Sequence, residues 1–271
     1  MNILVLGDVF GQPGREAVKT HLPALRRDLA VDVAVVNAEN AAHGFGLTEK
    51  ICGELYDSGA DVLTTGNHVW DQREIIPYFE RDRRLLRPAN FPPGTVGAGT
   101  YRHALADGRS LFVCNLMGRL FMDALDDPFR ALDATLAGAP LGDGAAVLID
   151  FHGEATSEKT ALGHHADGRV SALVGTHTHV PTADYQILPG GTGYISDLGM
   201  CGNYDSVIGL EKTAAVRRFV TRMPGPKKPE PADGEATVCG VFIVTDDATG
   251  LCRRIEPVRI GGRLAPHLPR P

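Results

Sequence analysis

Five strand-length apolar runs in this chain each end in residues that carry chemistry. Residues 2–6 run into Gly7 and Asp8, and residues 31–36 run into Asn37, Glu39 and Asn40. Residues 60–63 precede Thr65, Gly66, Asn67 and His68. Residues 145–149 precede Asp150 and His152, and residues 170–174 precede Gly175, Thr176, His177 and His179. Apolar runs this short, bounded by glycine and polar residues, read as buried strands. Ligands of open α/β sheets bind at the carboxyl ends of such strands.

The intervening stretches supply covering helices. Residues 14–29 place Ala17, Val18, His21, Leu22, Leu25 and Leu29 at helical spacing. Residues 47–58 read as a helix with Thr48 as N-cap, and residues 71–79 as a shorter one. Strand–helix–strand units with short connections imply a parallel sheet. Further along, turn signals at Asp107-Gly108, Pro189-Gly190-Gly191 and 247–250 predict hairpins over 100–116, 184–196 and 237–260. Helices are expected at 127–136 and 209–222, and a Pro-rich surface loop at 224–231. No internal repeat is present. The expectation is an α/β fold in four layers, helix–sheet–sheet–helix, with mixed sheets, forming a single domain over 1–271.

Composition removes several classes. Hydrophobic residues at 43% and charged residues at 22% exclude disorder. A net charge of −6 leaves no basic footprint for long nucleic acid, and 6% aromatics leave no stacking platform for single strands. The apolar runs are too short to cross a membrane, and Met1–Asp8 has no cationic leader pattern. The five cysteines, Cys52, Cys114, Cys201, Cys239 and Cys252, are odd in number and lack CxxC spacing. They read as reduced, buried thiols in a cytoplasmic protein.

Taken singly, an Asp at a strand end caps a turn and a His beside an apolar run is a core or surface residue. Five clusters in series carry a different meaning. Together they offer imidazoles and hard oxygens without thiolate, a set that suits Mn, Fe(II), Zn or Mg, with the imidazoles favouring a transition metal. His177 and His179, two apart in an extended segment, point to one side. With Glu39 as a bridging carboxylate they could serve two ions about 3.5–4 Å apart, which acidify a shared water and clamp phosphoryl oxygens. His68, beside Asn67, is the candidate proton donor.

Asp8, Gly66-Asn67-His68, His152 and Gly175-Thr176-His177-Thr178-His179 stand in the order and context of the calcineurin-like metallophosphoesterases, which this sequence resembles. Where that superfamily has Asp-x-His this chain has Phe10 in the His place, and where it has Gly-Asp this chain has Glu39-Asn40. Both departures resemble the YmdB-type bacterial branch, as do Gly7-Asp8 through Pro13-Gly14, Asn37 through Ala41, Asn115 through Arg119 and Asp205 through Gly209. The likeness runs from Met1 to about Arg222.

The resemblance implies a metallophosphoesterase fold and a binuclear site loaded with Fe or Mn, Zn or Mg being alternatives. It implies Asp8, Glu39, Asn40 and His179 on one metal, and Glu39, Asn67, His152 and His177 on the other. Asn40 would replace the missing His through its amide oxygen, and His68 would be the catalytic acid. The implied reaction is hydrolysis of nucleoside 2′,3′- or 3′,5′-cyclic phosphates. The implied partner is a small nucleotide, with no long nucleic acid and no membrane, and the hairpin edges leave a homo-oligomer open. Two rival readings remain: a phosphomonoesterase or nucleotide-end phosphatase on the same site, and a non-catalytic metal-dependent sensor. Arg119 is a further candidate for a substrate phosphate or a plain surface arginine. His43 lines the mouth of the site or simply a loop. His164, His165, Lys227 and Lys228 read as solvated.

Overall fold

A computed structural model describes residues 1–223 and 229–270. The first third lays down β1 (Asn2–Leu6), β2 (Asp8–Val9), α1 (Gly11–Asp28), β3 (Val33–Asn37), α2 (Glu49–Asp57) and β4 (Val62–Thr64). A 3-10 turn at Arg73–Ile75 then leads into α3 (Ile76–Arg81). The middle holds β5 (Thr100–Ala104), β6 (Ser110–Met117), α4 (Pro128–Leu136), β7 (Ala145–His152), α5 (Thr156–Ala166) and β8 (Ala172–Thr176). The last part holds β9 (Gln186–Ile187), β10 (Gly193–Ile195), β11 (Met200–Cys201), α6 (Lys212–Thr221), β12 (Val238–Thr245) and β13 (Cys252–Ile260).

Two mixed sheets result. One has the order β13-β12-β1-β3-β4, the other β5-β6-β7-β8-β10-β9. Their central strands are buried on both faces, and period-2 alternation decides which side each residue faces. Leu4, Leu6, Ala34 and Val36 pack with Val18 and Leu22 of α1 and Leu55 of α2. Their neighbours Ile3, Val5, Val33 and Val35 face the other sheet, meeting Val113, Leu148 and Val174. On that sheet's far side Val147, Ile149 and Leu173 pack with Leu132 of α4 and Leu162 of α5. The layer order is therefore helix–sheet–sheet–helix. A one-residue slip would exchange the side chains on the two faces of a strand, so interdigitated packing on both sides holds the register. Each such side chain contributes about 1.5–3 kcal/mol on burial.

The structure departs from the sequence expectation in several places. The three expected hairpins form, as β5–β6, β9–β10 and β12–β13, but they do not share one sheet. The β5–β6 and β9–β10 pairs form the two antiparallel edges of a sheet whose centre, β6, β7, β8 and β10, is parallel. Helix α1 begins three residues earlier than its apolar period, because Pro13 sits in the first turn, where its missing N–H is not needed. Helix α5 carries no apolar period that would announce it. Its buried face includes Glu158 and Lys159, whose polar atoms are engaged by neighbours. The two-residue ladder between β2 and β11 sets Asp8 beside Met200 and has no local sequence signature. Of the Pro-rich loop, residues 224–228, including Lys227 and Lys228, lie outside the described residues. All five cysteines are buried and unpaired.

Candidate metal centre

The carboxyl ends of both sheets meet at one end of the sandwich. Asp8 follows β1, Glu39 and Asn40 follow β3, and Asn67 and His68 follow β4. From the facing sheet, His152 ends β7, and His177 and His179 follow β8. Asp8, Glu39, Asn40, His152 and His179 are buried, and His177 is partly so. Their ligand-type atoms form two groups, Glu39–His152–His177 and Asp8–Glu39–His179, each drawn together within 4.8 Å. Glu39 belongs to both. Asn67 joins the first, its Oδ1 2.9 Å from His152 Nε2. Asn40 joins the second, its Oδ1 3.2 Å from His179 Nε2 and its Nδ2 donating to the Gly44 carbonyl at 3.0 Å. Main-chain N–H groups brace both carboxylates: His68 donates to Glu39 Oε2 and His177 to Asp8 Oδ2, each at 3.2 Å.

Each imidazole has its remote nitrogen held by an acceptor. Thr176 Oγ1 donates to Asp150 Oδ1 at 2.8 Å, so it accepts from His152 Nδ1 at 2.9 Å. His179 Nδ1 donates to the Ile208 carbonyl at 2.8 Å. His177 Nε2 stands 3.1 Å from Glu154 Oε2. The inward nitrogens, Nε2 of His152 and His179 and Nδ1 of His177, face the two ligand groups. Histidines oriented this way are the usual form of metal ligands. The inward nitrogens crowd one another: His177 Nδ1 is 3.0 Å from His152 Nε2, which also faces Glu39 Oε1 at 3.1 Å.

Two carboxylate oxygens, Asp8 Oδ1 and Glu39 Oε1, are buried with no hydrogen-bond partner. The 3.1 Å approach of His152 to Glu39 is close without being aligned as a hydrogen bond. An orphaned buried oxygen costs roughly 1–3 kcal/mol, more when charged, unless something absent from the chain binds it. Burial pushes the Asp8 carboxyl up to about 6. Burial also opposes ionisation of Glu39, but the surrounding imidazoles, His152 first, outweigh it and hold that carboxyl at about 2. His177 is driven down to about 3 by burial and by its neighbour His152. The carboxylates, Glu39 foremost, overcome burial at His152 and raise it to about 9. A divalent cation in each group would meet the orphaned oxygens and the inward nitrogens together. The residues present fit two hard-to-borderline divalent ions. Gly66 keeps the space open, since a Cβ there would collide with His152 and Glu39.

His177 and His179 both take positive φ, 104° and 67°, which costs on the order of 1–3 kcal/mol each for residues with a Cβ. Asp197 holds the turn. Its Oδ2 accepts from Thr178 N at 3.0 Å and its Oδ1 from Gly199 N at 2.9 Å. Lys159 of α5, fully buried, neutralises it at 2.7 Å. Tyr204 Oη donates to the His179 carbonyl at 3.1 Å. Sequence reasoning missed Lys159, Asp197 and Glu154. Asp197 had a signal, being another polar residue just beyond a predicted strand. Lys159 had none, because a buried lysine in a helix looks like a solvated one. Phe10, in the place of a histidine, packs edge-on against His179 with centroids 5.2 Å apart.

His68 stands at the rim, its Nδ1 2.8 Å from Asp71 Oδ2 and its ring edge-on to Phe45. It is not a member of either ligand group. Arg119 pairs with Asp127 at 2.9 Å, and Glu158 takes its main-chain N–H. His43 is exposed on the loop after Asn40. His165 bonds Asp133 in solvent and His164 is exposed, both far along α5.

The two-sheet sandwich and the carboxylate–imidazole cluster at its strand ends define a metallophosphoesterase. Within that class the chain belongs to the YmdB-like family, which matches residues 4–258. It is 48% identical over 260 residues to the 2′,3′-cyclic-nucleotide 2′-phosphodiesterase of Bacillus subtilis, covering 96% of this chain and 97% of that one. A crystal structure of a hypothetical protein from Thermus thermophilus superposes with a TM-score of 0.90 at 43% identity, covering 97% and 100% of the two chains. A Mycoplasma pneumoniae protein described as a novel phosphatase superposes with a TM-score of 0.89 at 33% identity, covering 96% and 93%. No described helix is long and apolar enough to cross a membrane.

Proposed function

We propose that this chain is a binuclear-metal phosphodiesterase that hydrolyses small cyclic nucleotides, 2′,3′-cyclic phosphates first and 3′,5′-cyclic phosphates second. The observation that carries the reading is the set of three histidines whose remote nitrogens are all engaged, facing two orphaned carboxylate oxygens. A hydrolytic relative of similar length supports the substrate class. Asp8, Glu39, Asn40 and His179 would hold one ion and Glu39, Asn67, His152 and His177 the other, with Fe or Mn suiting the mixed donor set. When bound, the pair supplies charge for the phosphoryl oxygens and acidifies a water.

The chain itself does the rest. Buried carboxylates and amides fix the ligand frame, and the Asp197–Lys159 pair keeps the strained turn in place. His68 acts as general acid. Asp71 anchors its Nδ1 and leaves Nε2 free to give a proton to the departing ribose oxygen. A pure sensor has no use for such a donor beside its ligands. The five unpaired cysteines suit a reducing cytoplasm. The test loads the purified protein with Mn or Fe(II), counts bound metal and follows 2′,3′-cyclic AMP, 3′,5′-cyclic AMP and a phosphomonoester. Two ions per chain with turnover of the cyclic diesters supports the reading. Turnover of the monoester alone replaces it with a phosphatase, and no turnover with full metal makes the protein a sensor.

A further inference from the structure

Beyond His68 the wall of the site opens into a groove of about 810 Å³, lined among others by Gln12, His43, Phe45, Asp71, Gln72 and Glu230. That volume lies within the roughly 300–1,000 Å³ of small-molecule clefts. The groove is continuous with the candidate machinery on two sides. Asp71 and Phe45 are the residues that hold His68, whose own N–H reaches Glu39. The loop bearing His43 and Phe45 is tied to Asn40, since Gly44 N donates to the Asn40 carbonyl at 3.1 Å and Asn40 Nδ2 donates back to Gly44. Gln72 Nε2 closes the loop on the Phe45 carbonyl at 2.8 Å.

The loop is built at a backbone cost. His43, Gly44 and Gly46 have φ of 54°, 87° and 76°. His43 is the one residue of the three with a Cβ, and it holds an imidazole ring out in the open. No strand or helix needs a ring there.

The lining chemistry selects among ligands. Asp71, Glu230 and Asp233 are carboxylates, Gln12 and Gln72 are amides, and His43 and Phe45 are flat rings. No lysine or arginine lines the groove among the described residues. A second phosphate would be repelled. A flat neutral ring bearing N–H donors is complementary to both the rings and the carboxylates. Resting on the cyclic-nucleotide reading, we infer that this groove is the nucleobase subsite of the substrate, with the base against His43 and Phe45 and its exocyclic amino group toward Glu230 and Asp233. The acidic lining then favours adenine, guanine and cytosine over uracil, and a mononucleotide over an oligonucleotide.

The experiment compares three substrates in the metal-loaded enzyme: 2′,3′-cyclic AMP, 2′,3′-cyclic UMP and bis(p-nitrophenyl) phosphate, which has no base. His43→Asn removes the imidazole yet tolerates the left-handed backbone. It should raise KM for cyclic AMP by about 5- to 100-fold, the range that stacking of one base spans, with kcat nearly unchanged. The base-free diester should be untouched. Glu230→Gln, an exposed and conservative change, should shrink the preference for cyclic AMP over cyclic UMP. Equal effects of His43→Asn on all three substrates, or none on any, overturn the subsite while wild-type turnover of cyclic nucleotides stands. A wild type that cleaves the nitrophenyl diester but neither cyclic nucleotide overturns the functional reading itself, and the subsite with it.

Discussion

The two ends of the sandwich are built from the same strands and treat charge in opposite ways. At the amino ends of β1, β3 and β4 the carboxylates of Asp32, Asp61 and Asp247 meet partners within the chain. Asp61 pairs with Arg26 and accepts Ala34 N, Asp32 pairs with Arg109 at 2.8 Å and accepts Asn2 N, and the Met1 ammonium meets Asp247 at 2.8 Å. At the carboxyl ends two buried carboxylates and three imidazoles converge, and the nearby Lys159 is spent on Asp197. One end is closed and serves stability. The other keeps a surplus of acceptors, which is sensible only if cations complete it.

The largest effect that could break this contrast is at Glu39. Glu39→Ala removes the one carboxylate common to both ligand groups. Turnover should fall by about 10³-fold or more, on the order of 4 kcal/mol of barrier, and metal content should drop to one ion or none. Elemental analysis beside the rate decides it, since full occupancy in an active variant would show that Glu39 does not bridge.

His68→Asn tests the rim rather than the cluster. Both ions should stay bound. The rate on a cyclic nucleotide should fall by roughly 10²–10⁴-fold, and far less on a nitrophenyl ester, whose leaving group needs no proton. Equal losses on the two substrates would remove the acid role, and metal loss would make His68 a ligand.

Stability gives the next handle. Chelation should lower Tm, and Mn at 100 times its Kd should restore about 2.7 kcal/mol. The gain should depend on pH with a definite sign. Asp8, raised to about 6, and His152, raised to about 9, must give up protons before binding, whereas Glu39, held at about 2, is already ionised. A raised folded-state pKa stabilises the metal-free protein at low pH and that contribution is lost as pH rises through it. The Mn-induced rise in Tm should therefore grow from pH 5.5 to pH 8. A shift that is flat across that range, read by calorimetry, would contradict proton release from Asp8 and His152 on metal binding.

The smallest effect belongs to the closed end. Arg109→Ala breaks a partly buried pair with Asp32 and an exposed one with Asp107 and should cost about 1 kcal/mol for each, with metal content and turnover unchanged, as chemical denaturation and the standard assay would report. A loss of metal there would mean that the two ends are coupled.

Much of the site was legible because its residues fall where apolar runs stop. Continuous apolar runs such as Ile3–Leu6 and Val33–Val36 are local patterns, and burial of both faces follows from them. Thr48 and Asp127 cap α2 and α4 through their side chains, again a local signal. What stayed hidden depends on distant partners. Lys159 means nothing until Asp197, thirty-eight residues on, is placed 2.7 Å away. The departure at Phe10 became intelligible only when its ring was seen packed on His179 with Asn40 turned toward the same nitrogen.

The sequence by itself determined the alternation of strands and helices, the burial of the cysteines and the set of donors at the strand ends, because these depend on spacing and residue type within a few positions. Only the tertiary structure decided which sheet each hairpin edges, that Glu39 stands between two ligand groups, and which nitrogen of each histidine points inward. Those outcomes are set by hydrogen bonds such as His152–Thr176 and His179–Ile208, whose partners lie 24 and 29 residues apart in the chain and meet only when β8 pairs with β7 and the loop carrying Ile208 folds back over the strand ends.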